Sequence, residues 1–145
     1  MSRGSRSLGL DVGERRIGVA ISDELGSIAS PLEMISREAG DLDAIARMVA
    51  AQNIGAVVVG LPTGMSGREG PQAAVTRAFA DQLAAVLGPD VPVRFWDERL
   101  TSAIADRTMR ERGTKKDERK QQRDAIAAAV ILQGWLDSQR SRRGR

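Results

Sequence analysis

Three acidic residues stand where acids are costly, and together they suggest one kind of chemistry. Asp11 interrupts the strand-like run Leu8-Gly9-Leu10-Asp11-Val12-Gly13. Alternation puts Leu8, Leu10 and Val12 on one face and Gly9, Asp11 and Gly13 on the other. An ionised carboxylate in such a strand needs a partner, water or a metal ion; the plainer role is a turn-entry Asp that bonds the backbone at Gly13. Asp97-Glu98-Arg99 closes the apolar run Val91–Trp96, and sites in open α/β sheets gather beyond the carboxyl ends of parallel strands. Consecutive residues point to opposite faces, so one of Asp97 and Glu98 can join Asp11 while the other bonds the following turn; alternation does not choose. Asp124 heads a helical stripe with Ala127, Ala128, Ile131, Leu132 and Trp135. An acid there either faces a partner on the buried side or answers the helix dipole.

Carboxylates from two strands and a helix form an oxygen-ligand set suited to Mg²⁺ or Mn²⁺. Two such ions about 3.5–4 Å apart can stabilise the attacking and leaving oxygens of phosphodiester hydrolysis. That chemistry needs neither imidazole nor thiol, and the chain has no histidine and no cysteine. Disulfide frameworks, Cys/His zinc sites, thiol nucleophiles and imidazole bases are therefore excluded. Asp23 is a tempting fourth ligand, but the second strand runs back from its turn. At 3.3 Å per residue this leaves Asp23 roughly 20 Å from Asp11.

The elements that must position these acids are legible from periodicity. Leu8–Val12 and Arg16–Ser22 read as a hairpin through Gly13-Glu14-Arg15, and Ser27–Ile35 as a third strand whose Pro31 suits an edge. Asp41–Gln52 reads as a helix, Ala56–Val59 as a buried strand and Ala73–Leu87 as a helix with an apolar stripe through Val75, Phe79, Leu83 and Val86. Val91–Trp96 is a strand, Thr101–Arg112 a helix and 121–136 the last helix. The expected class is α/β, one mixed five-stranded sheet with helices on its faces and parallel pairing among the later strands. The 145 residues suit a single domain over 7–138, with basic disordered tails at 1–6 and 139–145.

The net charge of +3 conceals a polarised chain. Residues 107–123 carry eight basic and three acidic groups, and both ends are Arg-rich, so most of the remaining chain is acidic. A basic stretch running straight into Asp124 suits a phosphate backbone approaching the acids. The glycine-rich loop Gly60–Pro71 lacks the Gly-Lys-Ser/Thr ending of a P-loop and reads as a flap or a plain connection. Phe79, Phe95, Trp96 and Trp135 are the only aromatic residues. All four sit in apolar patterns and read as core, so recognition by backbone and shape is expected rather than base stacking. No run approaches the roughly 18 apolar residues of a membrane span and no export signal is evident, which together point to the cytoplasm.

The chain resembles the YqgF family of Holliday junction resolvase-like nucleases. The resemblance rests on Gly9-Leu10-Asp11-Val12-Gly13 with Arg16–Asp23, on Val59-Gly60-Leu61-Pro62, on Trp96–Thr101, and on Asp124–Gln133. It implies an RNase H-like fold and selects Glu98 over Asp97, giving Asp11, Glu98 and Asp124 as the catalytic, metal-holding set for Mg²⁺ or Mn²⁺, with two ions. It further implies a nuclease for the 5′ end of pre-16S rRNA, with cleavage of branched, four-way DNA as the alternative. Arg15, Arg16, Arg99, Lys115, Lys116, Arg119, Lys120 and Arg123 are the expected contacts to nucleic acid. Structured RNA or branched DNA is the expected partner, with no membrane, and the chain is expected to act as a monomer or homodimer. Two other classes compete: a non-catalytic RNA-binding protein, and a phosphotransfer domain, since Asp11-Val12-Gly13 also resembles the first phosphate loop of sugar kinases. The latter needs two such domains around a nucleotide.

Overall fold

The structure is a computed structural model that describes residues 4–63, 68–100 and 120–143. The expected helix over Thr101–Arg112 and the basic connector through Lys115, Lys116 and Arg119 lie outside the described residues, as does part of the glycine-rich loop. Five strands, β1 (Arg6–Val12), β2 (Arg16–Ser22), β3 (Ala29–Ser36), β4 (Ile54–Leu61) and β5 (Val93–Asp97), make one sheet in the order β3-β2-β1-β4-β5. Helix α1 (Asp41–Ala51) and helix α2 (Pro71–Leu87) flank β4 in the chain, and α3 (Lys120–Arg143) is the last element. The β1–β2 and β2–β3 pairs are antiparallel, whereas β1–β4 and β4–β5 are parallel. Beyond Leu10 on β1, Leu61 on β4 and Asp97 on β5, three parallel strands therefore end on the same side of the sheet.

Period-two alternation sorts side chains between two covers. Leu8, Leu10, Val12, Ile17, Val19, Val57 and Val59 pack on one face with Ile45 and Val49 of α1 and Phe79, Ala80 and Leu83 of α2. On the other face Ala20, Ala29 and Val58 meet Ile126, Ala128, Ala129, Ile131 and Leu132 of α3. Helix α3 reaches the sheet because the strands below it carry almost no side chain. A Cβ on Gly9 would lie 2.7 Å from the Leu132 Cβ, and one on Gly18 would collide with the Asp124 carbonyl.

Two expectations shift. In α2 the buried residues are Ala73, Thr76, Phe79, Ala80 and Leu83, while Val75 and Val86 are exposed. Thr76 can face the core because its hydroxyl donates to the Gln72 carbonyl at 3.0 Å, satisfying the group that would otherwise be costly to bury. Helix α3 continues past the expected end at 136 to Arg143, and Arg6 already belongs to β1, so part of each basic end is regular structure. Among the described residues no helix is long and apolar enough to cross a membrane.

Candidate nuclease site

Asp11 lies near the end of β1, opposite Gly18 of β2. Its plain turn role is not the one observed, since the Gly13 N–H donates to the Arg16 carbonyl at 2.8 Å. The empty space above Gly18 lets the backbone of Asp124 settle onto β2 beside Asp11. Burial, then the nearby Asp124 carboxylate, push the Asp11 carboxyl from 3.8 up to about 6. Both causes act in one direction, because a buried negative charge with a negative neighbour favours the protonated form.

The ambiguity after β5 resolves by side-chain direction. β5 ends at Asp97 and a single 3₁₀ turn begins at Glu98. Trp96 packs on the α3 face of the sheet and Phe95 on the opposite one. Asp97 accepts from the Thr63 hydroxyl at 2.7 Å and from the Arg99 backbone N–H at 2.9 Å, and its second oxygen takes the Arg99 guanidinium at 2.6 Å. Those bonds hold its carboxyl well below the usual range. Glu98 instead turns toward β4, where its Oε1 lies 2.9 Å from the place a Cβ on Gly60 would take. Its carboxyl is pushed up by burial first, then by Asp11 and Asp97. One acid of the pair caps a turn and the other faces Asp11.

Asp124 is set by α3 and by a cation: Arg16 Nε donates to its Oδ2 at 2.8 Å, with both side chains about a third exposed. Arg16, expected to meet phosphate, thus occupies a carboxylate, and Arg99 is likewise engaged by Asp97. Arg15 is exposed beside the hairpin turn, and Arg123 is exposed one residue before Asp124. Of Lys120 only the helical backbone is described. Asp23, set aside on hairpin geometry, spends its Oδ1 on the N–H groups of Ser27 and Ile28 at 2.7 and 3.0 Å.

Asp124 lies near enough to disfavour the charge of Asp11, and Asp11 that of Glu98, yet among the described residues no three acids stand at the spacing of a closed metal cage. Their chemistry still fits a hard divalent cation. All the donors are carboxylate oxygens, Gly60 clears a cradle at Glu98, and the Arg16 guanidinium already sits as a positive charge on Asp124. What the sequence did not reveal is that this cation comes from Arg16, since no local spacing links two residues so far apart.

Comparison with known proteins identifies the family and the fold. A family described as RuvX: Holliday junction resolvase matches residues 5–138. A Chloroflexus aggregans protein named "Putative pre-16S rRNA nuclease" is 51% identical over 136 residues, covering 92% of this chain and 94% of its own. A Roseobacter denitrificans protein of the same name is 46% identical, covering 90% and 81%. Among solved structures, RuvC of T. thermophilus in complex with a Holliday junction substrate superposes with a TM-score of 0.60 at 15% identity, covering 92% of this chain and 95% of that one. A fowlpox virus resolvase with its junction DNA gives 0.57 at 10% identity, covering 92% and 98%. The fold is RNase H-like, as RuvC's is, and the names of the family and its relatives both denote enzymes that hydrolyse nucleic-acid phosphodiester bonds. On the strength of a match across nearly the whole chain, the protein belongs to the RuvX (Holliday junction resolvase) family, the YqgF-like group its sequence resembles.

Proposed function

We propose that the chain is a divalent-metal-dependent nuclease acting on precursor 16S rRNA, with Asp11, Glu98 and Asp124 as its metal-holding and catalytic carboxylates. The observation that carries this reading is the meeting of a half-buried Asp11, its carboxyl pushed up to about 6, with Glu98 and Asp124 at the ends of three elements. Mg²⁺ or Mn²⁺ bound there, as one ion or two, supplies Lewis acidity toward a phosphoryl oxygen and acidifies a coordinated water. The chain's own residues do the rest. Asp11 and Asp124 hold the charge, Glu98 orients and accepts a proton beside Gly60, and Arg16 fixes the Asp124 carboxylate until substrate phosphate competes for the guanidinium. Lys115, Lys116, Arg119, Lys120 and Arg123, which precede Asp124 in the sequence, supply positive charge for the substrate backbone, in a cytoplasmic enzyme of monomeric or dimeric form.

RNA is favoured by the names of relatives at about half identity. A second reading, cleavage of four-way DNA junctions, draws on the family name and on the junction-bound structures that share the fold. Purified protein with Mn²⁺ is offered pre-16S RNA and a four-way DNA junction in parallel. Cleavage of the RNA, abolished by Asp11→Asn, is the expected result. Cleavage confined to the junction transfers the same site to the second reading, and cleavage that survives Asp11→Asn overturns the assigned carboxylates.

A further inference from the structure

At the far end of α3 from Asp124, the helix and the sheet's open edge enclose a cleft of about 520 Å³. Arg94 and Trp96 of β5 form one wall, and Trp135, Gln139 and Arg142 of α3 the other. The spacing is built in: Arg94 and Trp96 alternate onto the same side of β5, while 135, 139 and 142 fall at i, i+4 and i+7 on one helical stripe. Among the described strands β5 is the last of the sheet, so the cleft lies along the sheet's edge. Its volume lies within the roughly 300–1,000 Å³ of small-molecule clefts.

Both tryptophans were expected in the core, and neither is fully buried: each packs partly against the apolar cluster between α3 and the sheet and also lines the cleft. Trp96 is wedged against Gly134, where a Cβ would come within 2.9–3.0 Å of three indole atoms. Its buried Nε1 has no acceptor among the described residues, so this ring is held by shape and not by a hydrogen bond. Among the described residues the cleft has no acidic lining. Arg94 and Arg142 are exposed and, among the described residues, neither has an ion-pair partner. The neighbouring acid Asp137 is taken by Arg140 at 2.7 Å. Two indoles between two uncommitted guanidinium groups offer stacking faces and phosphate contacts, the combination that holds unpaired nucleic-acid strands without reading their sequence.

We propose that this cleft binds an unpaired nucleotide segment of the substrate, stacking bases on Trp135 and Trp96 and pairing their phosphates with Arg94 and Arg142. The proposal rests on the nuclease reading and adds to it a second contact. From Asp124 to Trp135 is eleven residues of helix, about 16 Å, or about five stacked nucleotides at 3.4 Å each. The site then cuts at a fixed reach from a single-stranded flank, so a substrate with a frayed or looped end is favoured over a continuous duplex.

The chain has two tryptophans and no tyrosine, so its intrinsic fluorescence reports on this cleft alone. The full-length Asp11→Asn protein, unable to cut, is titrated with a ten-nucleotide oligoribonucleotide, its deoxy counterpart and a blunt duplex of the same sequence. Saturable quenching by a single strand, about tenfold tighter than by the duplex, is expected; the ribo and deoxy arms tell which backbone is preferred. Adding Arg94→Gln and Arg142→Gln should weaken binding about tenfold and lower the slope of log K against log salt by about 1.4, two phosphates at about 0.7 each. Both side chains are exposed, and an unchanged thermal melt shows that the fold is intact. Absence of quenching by either strand, equal quenching by duplex, or a salt slope indifferent to the two substitutions overturns the cleft while leaving the nuclease reading standing. Conversely, a wild-type protein that cuts no substrate but is quenched as described overturns the nuclease reading and keeps the cleft.

Discussion

On one face of the sheet, Leu8, Leu10, Ile17, Val19, Val57 and Val59 close against Ile45, Phe79 and Leu83 with essentially no exposure. On the other, the same strands present Gly9, Asp11, Gly18, Ala20 and Gly60 to α3. Apolar burial contributes about 1.5–3 kcal/mol for each large side chain, and on the first face both the sheet and its helices supply such side chains. The second gives up side-chain volume for close backbone approach and sets negative charges beside one another. One strand serves both purposes because its residues alternate: Leu10 and Asp11 are neighbours in sequence and opposites in surroundings. A stable face thus supports a strained one.

The comparison fails most visibly if Asp11 proves dispensable. Asp11→Asn should lower cleavage about a thousandfold or more, measured as single-turnover rate with Mn²⁺. The same substitution should also raise stability. A carboxyl lifted from 3.8 to about 6 binds protons more readily in the folded than in the unfolded chain, so stability falls as pH rises through that window. The penalty approaches about 3 kcal/mol above pH 6 and vanishes below pH 4. Urea melts at pH 7.5 should therefore favour the Asn variant, and melts at pH 4 should show the two proteins level. Equal stabilities at both pH values would mean that Asp11 carries no burial strain.

Matched truncation and overpacking sharpen the contrast between the faces. Leu83→Ala should cost about 2–5 kcal/mol and leave the cleavage rate per folded molecule unchanged. Gly18→Val should cost about 3 kcal/mol and abolish cleavage as well, because the new side chain occupies the place of the Asp124 backbone. Smaller in energy, Mg²⁺ or Mn²⁺ at a hundredfold excess over Kd should stabilise the wild type by about 2.7 kcal/mol, with chelation reversing the gain and Asp11→Asn removing it. Smallest of all, Arg16→Gln should tighten Mn²⁺ binding about threefold by taking a positive charge from Asp124, read by calorimetry without substrate. Weaker binding would instead mean that Arg16 holds Asp124 in ligating position.

How far these features could be read in advance depends on the range over which their causes act. The hairpin and the face of Asp11 were legible because strict alternation needs only neighbours. Alternation alone left Asp97 and Glu98 open, and only the family resemblance chose Glu98, since the choice turns on where β5 ends, and that is fixed by register with β4, where Trp96 pairs with Gly60. The stripe of α2 was misplaced by a few residues because Thr76 counts as polar until its bond to Gln72 is seen. Helix α3 overran its expected end where apolar periodicity stops; there an Asp137–Arg140 pair and residues of good helical propensity continue it. Arg16 was marked as a phosphate contact because charge alone names no partner. The cleft stayed hidden for a related reason: Trp96 and Trp135 each look like core on their own element, and the packing of α3 across β5 leaves both only partly buried.

Gln133 clamps α3 onto the chain leading into β3: its amide oxygen accepts the Ala29 N–H and its nitrogen donates to the Ser27 carbonyl, both at 2.9 Å. The helix that brings Asp124 is therefore fastened last, by contacts spanning more than a hundred residues. During synthesis at about 5–20 residues per second, a nascent chain through residue 100 already contains the five described strands, with Asp11 and Glu98, but lacks Asp124 and the helix that carries it. The chain order thus keeps the proposed carboxylate set incomplete until Asp124 has been made and has emerged.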